Sequence, residues 1–218
     1  EVLRVLNLAR AMGKLKERYD LPMTGSGEKL LSSQNETLAQ KMAQHPSYKL
    51  QEAWVADGNQ GLCPQFFVAE MLWRWVRDLD NIATDKLEQL WFAEAETFNR
   101  LISAKPGDPW LILSPETGTG KTEGSCVYAA LSALYTDTGI LFTTRLTSQC
   151  ETVVRDIGEI VHNHCTRYPN GGRCGHLPHP IAVTIHSKQT AEEKPSDPDI
   201  HNASCLVITH ERMSLIYK

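Results

Sequence analysis

The sequence predicts an α/β protein: a helical amino-terminal domain over residues 1–105, then, over 106–218, part of a domain built on a parallel sheet. Three observations lead there. Before residue 105 the apolar side chains recur at the three-four spacing of a helix face. After the punctuating segment AKPGDP, 104–109, short apolar strands alternate with helices, a rhythm that calls for parallel strands covered on both faces. Between the first strand and the first helix of that second part stands TGTGKT, residues 117–122, a glycine-rich turn followed by a lysine and a hydroxyl.

Within the first part, VLRVLNLARAMGKL sets Val2, Val5, Leu6, Leu8, Met12 and Leu15 on one stripe, and TGSG at 24–27 ends it. A second, more polar helix is expected near 33–45. In PQFFVAEMLWRWVRDL, Pro64 opens a helix whose Phe67, Val68, Met71, Leu72, Trp75 and Leu79 repeat at helical spacing. Thr84-Asp85 introduces KLEQLWFAEAETFNRLI, with Leu87, Leu90, Trp91, Phe98 and Leu101 as its apolar face. Trp54, Trp73, Trp75 and Trp91 all fall in this part, and they read as buried core rather than as a partner surface, because large aromatics are mostly used for burial.

In the second part the order is the strand WLIL, a helix from Lys121 through SCVYAALSALY, the strand GILFTT, the helix TSQCETVVRDIGEIVHNH, and the strands IAVTIH and CLVITH. Residues 187–203, rich in Lys, Glu, Pro and Asp, are expected to form a solvated loop.

Composition narrows the function. A net charge of -4 excludes a strongly basic nucleic-acid coat, so any nucleic-acid contact is local. No stretch approaches the ~18 apolar residues of a membrane span. A soluble, cytoplasmic protein is expected, and the six scattered cysteines do not form the dense framework of a small secreted domain. Because the chain begins at Glu1 without a signal architecture, it is expected to be a piece of a longer protein.

TGTGKT carries the clearest chemistry. Gly118 and Gly120 allow the backbone to turn without a Cβ, so that successive N–H groups from Glu116, Thr117, Gly118, Thr119 and Gly120 can point at the phosphates of ATP. Lys121 can reach the β- and γ-phosphates, the Thr122 hydroxyl can ligand Mg²⁺, and the helix that starts there adds its positive end. The strict G-x-x-x-x-G-K-[ST] pattern fails only at its first position, Pro115. The alternative is a plain glycine turn between strand and helix.

This region resembles motif I of superfamily 2 helicases, where alanine or proline often replaces the first glycine. GILFTTRLTSQCETVVRDI, 139–157, resembles the next helicase element, and the resemblance implies that Thr144, Arg145, Leu146, Thr147 and Gln149 touch the backbone of a bound strand. ASCLVITHERMSLI, 203–216, is similar to the DinG/XPD-type element in which a strand ends in a His-containing turn, with Thr209 and His210 in that place. Over about 108–216 the order looks most like DinG, which implies an ATP-dependent DNA helicase or translocase with a RecA-like first motor lobe, ATP and Mg²⁺ as cofactors and single-stranded DNA as partner.

Two departures from that family matter. No glutamine that would read adenine precedes the phosphate loop. Cys150, Cys165, Cys174 and Cys205 are spread too widely for the family's iron–sulfur cluster. Absence of that cluster is a feature of the DinG branch associated with type IV CRISPR systems, which implies recruitment to a guide-RNA/protein effector complex through 1–105. In HNHCTRYPNGGRCGHLPH, Cys165, Cys174, His176 and His179 are zinc-type ligands, but the Cys-x8-Cys separation favours an ordinary loop over a zinc site.

No apolar strand after residue 122 runs into an Asp-Glu pair, and hydrolysis in this class needs one. The isolated chain is therefore expected to hold ATP weakly without turning it over. Two other readings stay open: a different P-loop enzyme, such as an AAA-type ATPase or a small-molecule kinase, and a recruitment module with a vestigial loop.

Overall fold

The computed structural model describes residues 46–81, 83–105, 108, 118–174 and 180–216. The helices expected at 2–15 and 33–45 and the strand WLIL, 110–113, lie outside the described residues. The chain divides into two compact units, one holding the described residues up to Thr119 except 60–62, the other holding 60–62 and those from Gly120 onward.

The described part of the first unit is helical: α1 (Tyr48–Ala56), α2 (Pro64–Leu72) running on into a wide π-helical turn (Trp73–Asp78), and α3 (Asp85–Ile102). Pro64 stands in the first turn of α2, where its missing N–H costs nothing. The three-four stripe understates how deep this helix lies, since every residue from Phe66 to Leu72 is buried. In the wide turn the Leu79 N–H donates to the Arg74 carbonyl five residues back, and Asp80 stops the helix at a φ of 49°. There the buried Arg74 lies 3.5 Å from the Asp78 carboxylate.

Helix α3 starts where Thr84 accepts a hydrogen bond from the Leu87 N–H at 3.3 Å. It packs along α2 and buries Trp91 and Ala95. Trp75 meets Trp91 edge-on, with ring centroids 5.8 Å apart, and the Trp91 indole donates to the Thr119 carbonyl. Trp91 is thus core, as expected; Trp54, Trp73 and Trp75 are only partly buried. Glu88 and Glu94 are buried on α3 as well, and burial raises the Glu94 carboxyl to about 8.

The second unit contains α4 (Lys121–Tyr135), β1 (Ile140–Thr144), α5 (Thr147–Arg167), β2 (Ala182–Ile185), α6 (Asp197–Asn202), β3 (Cys205–Thr209) and α7 (His210–Ile216). The three strands form a parallel sheet in the order β1-β3-β2. Helix α5 lies across all three strands and packs against α4, while α7 contacts β3 and β1. The described chain is therefore mixed helix and strand, mostly helical, with a small open parallel sheet. The alternating rhythm beyond residue 118 is reproduced element by element. One difference is α6, inside the stretch expected to be loop: Ser196 accepts from the Asp199 N–H while the Asp199 carboxylate accepts from the Ser196 N–H, a reciprocal cap that starts a short helix even in a polar segment.

The loop after α5 is pinned to the end of α4. Arg173 N–H donates to the Leu134 carbonyl, and Gly172 adopts a φ of 55°. A Cβ at Gly172 would sit 2.7 Å from that same carbonyl oxygen, so both conformation and space require glycine. Among the described residues no helix is long and apolar enough to cross a membrane.

Candidate nucleotide and nucleic-acid site

Glu116 and Thr117, the first residues expected to cradle phosphate, lie outside the described residues. Gly118 and Gly120 both take left-handed backbone, at φ of 84° and 79°. A Cβ at Gly118 would meet nothing within 4 Å, so the requirement there is the conformation itself. Gly120 is the residue before α4, and its carbonyl accepts from the Gly124 N–H at 2.7 Å. No side chain caps that helix start. Lys121 and Thr122 are exposed on the first turn, and the Ser125 hydroxyl donates back to the Lys121 carbonyl.

The two segments expected to touch a nucleic-acid backbone come together at one edge of the sheet. β1 pairs with β3 so that Thr144 stands opposite Thr209, each the last residue of its strand. This is the carboxyl edge, where open α/β sheets collect ligands. The two threonines are buried and already engaged. Thr144 Oγ1 donates to the Leu146 carbonyl at 3.0 Å and lies 3.1 Å from Cys150 Sγ. Thr209 Oγ1 accepts from the Arg212 N–H at 3.2 Å. Both act as local caps that shape the turns. Arg145, Leu146 and His210 are exposed beside them, Thr147 opens α5, and exposed Gln149 accepts from the Leu146 N–H through Oε1. At this edge the outward-facing donors are therefore Arg145, His210 and the amide of Gln149.

A neighbour that the sequence reading passed over is His186, directly after β2. It is only 4% exposed, and its ring nitrogens have no hydrogen-bond partner; Nε2 lies 3.4 Å from a Glu151 carboxylate oxygen. Gln189 fixes the turn there, accepting from the His186 N–H and donating to the Thr184 carbonyl. The available signal was the strand end itself, since IAVTIH and CLVITH both finish on histidine.

The Cys/His stretch separates into parts with different surroundings. His164 is fully buried, takes a 2.8 Å hydrogen bond with the Tyr135 hydroxyl at Nε2, and packs edge-on against Tyr135 and Tyr168. Cys165 and Cys174 meet side chain to side chain; burial pushes the Cys165 thiol up, and the contact with Cys174 opposes it. His176 and His179 lie outside the described residues. Cys150 and Cys165 sit on one helix about 22 Å apart along its axis, too far to share a cluster. Cys205 is buried in β3, where desolvation raises its thiol to about 12. Among the described residues no three His, Cys, Asp or Glu side chains converge as a metal site would need.

Comparison with protein-family models, curated proteins and solved structures gave no match.

Proposed function

We propose that the chain carries the nucleotide-binding part of an ATP-driven motor that acts on single-stranded nucleic acid, its second unit being part of a RecA-like first lobe. The observation that carries this reading is the pair of left-handed glycines, Gly118 and Gly120, leading into an uncapped helix whose first two residues are Lys121 and Thr122. Those features suit a triphosphate: the two left-handed glycines shape the turn, the positive helix end favours phosphate oxygens, and the lysine supplies a point charge. When bound, Mg²⁺ would be held by the Thr122 hydroxyl and neutralise phosphate charge.

Support for a nucleic-acid track is the pairing of Thr144 with Thr209, which sets Arg145, Gln149 and His210 along one edge. Guanidinium, amide and imidazole donors there suit phosphate and sugar oxygens, contacts that fix position without reading bases. The residues that directly follow the described strands are Arg145, His186 and His210, none of which is a carboxylate able to activate water. Binding without appreciable turnover is therefore the activity proposed for this chain, and a guide-RNA/protein complex remains the proposed recruiting partner of the helical unit.

The test is coupling. A non-hydrolysable ATP analogue with Mg²⁺ should change the affinity of the chain for a labelled single-stranded oligonucleotide, and Lys121→Ala should abolish that change while leaving binding without nucleotide intact. Oligonucleotide affinity indifferent to the analogue in both proteins would refute the motor reading.

A further inference from the structure

Within the second unit a cavity of about 270 Å³ opens at the carboxyl ends of β2 and β3. Ile185, Ile200 and Leu215 give it apolar walls. Its polar lining carries both signs of charge, Lys194 and Arg212 against Asp197 and Glu211, with His186 and Thr209 at the strand ends. We infer that this cavity receives one nucleotide of the bound strand. The inference rests on the nucleic-acid reading above and adds a site to it, because Thr209 belongs both to the proposed track and to the cavity wall.

Size comes first. Pockets for drug-sized ligands run to about 300–1,000 Å³, so this one suits a single nucleotide rather than a peptide or an oligosaccharide. Charge balance narrows the ligand further. A bare anion such as inorganic phosphate gains little where two carboxylates face two cations. A nucleotide separates its chemistry: the phosphate can lie against Lys194 and Arg212, while base N–H groups can donate to Asp197 or Glu211. The flat base can cover Ile185, Ile200 and Leu215, and a guanidinium can also stack on its face. His186 adds a buried ring at the same strand end; its Nε2 faces Glu151 at 3.4 Å, and its Nδ1, which has no hydrogen-bond partner, is a group that a polar ligand could satisfy.

The site joins segments far apart in sequence. β2 and the following loop bring Ile185, His186 and Lys194, α6 brings Ile200, and α7 brings Glu211, Arg212 and Leu215. None of these belongs to the phosphate loop.

The experiment measures anisotropy of a labelled single-stranded oligonucleotide, beside a fully abasic strand of equal length, without ATP or Mg²⁺. Free nucleoside 5′-monophosphate and inorganic phosphate serve as competitors. Lys194 and Arg212 are exposed, so Lys194→Ala and Arg212→Ala should leave the fold unchanged; Ile200→Trp fills the cavity, and circular dichroism checks its folding. The expected result is tighter binding of the base-bearing strand, about tenfold weaker binding in Arg212→Ala, and loss of the preference over the abasic strand in Ile200→Trp. Displacement by the monophosphate but not by inorganic phosphate supports the same site. Equal binding of the oligonucleotide by all variants, with no preference for bases, overturns the cavity and leaves the track standing. Binding of the free monophosphate alone, lost in the variants, keeps the cavity and overturns the strand reading. Binding of neither overturns both.

Discussion

Replacing Glu94 by glutamine tests how the helical unit is held together. Glu94 lies on α3 with only 3% of its surface exposed, and burial alone raises its carboxyl from 4.5 to about 8. The folded state therefore holds the neutral acid where the unfolded chain has already ionised. Stability is at its full value below pH 4.5 and falls as pH rises through 8, where the folded carboxyl also loses its proton. At about 1.4 kcal/mol per pH unit, the loss over that window reaches at most about 5 kcal/mol. Water admitted on ionisation relaxes part of it, so about 2–4 kcal/mol is the expected measured drop. Glutamine has nearly the same shape and no proton to lose. Urea unfolding followed by tryptophan fluorescence reports this unit, which contains Trp54, Trp73, Trp75 and Trp91. Glu94→Gln should match the parent near pH 4.5 and exceed it by that amount near pH 9. Parallel pH profiles for the two proteins between 4.5 and 9 would refute the burial argument.

Three further outcomes follow from the same geometry. Gly172→Ala forces a Cβ against the Leu134 carbonyl at a φ of 55° and should cost about 2 kcal/mol or more by denaturant unfolding, while Gly139→Ala, where a Cβ meets nothing, should change stability by less than about 0.5 kcal/mol. Tyr135→Phe removes the hydroxyl bonded to Nε2 of buried His164 and should cost about 1–3 kcal/mol, with little change if the same substitution is made beside His164→Phe. Thr84→Ala removes the cap of α3 and should lower stability by about 1 kcal/mol.

Local patterns were the legible part of this fold. Pro64, Thr84 and the glycines at 118 and 120 announce helix starts because each satisfies a backbone requirement within a few residues. The strands GILFTT, IAVTIH and CLVITH stand out as short apolar runs between polar turns. What sequence could not supply was the pairing order: only the sheet puts Thr144 beside Thr209 and reveals that both hydroxyls are spent on their own turns. The burial of Glu88 and Glu94 was hidden for a related reason, since carboxylates at helical spacing read as a solvated face until neighbouring helices are placed. Helix α1 went unread because YKLQEAWVA has little amphipathic contrast; it is anchored by a long-range contact, the Gln51 side chain accepting from the Cys63 N–H at 2.7 Å. The cavity between β2, α6 and α7 draws on residues spread over thirty-one positions, from Ile185 to Leu215, a convergence that no spacing rule signals.

The central claim is that the turn from Gly118 to Thr122 holds the phosphates of ATP, and isothermal titration of the chain with ATP and Mg²⁺ measures it most directly. One site per chain is expected, at least tenfold weaker in Lys121→Ala and weakened in Thr122→Ala only when Mg²⁺ is present. Heat of binding that is absent in the parent chain, or identical in parent and Lys121→Ala, would contradict it.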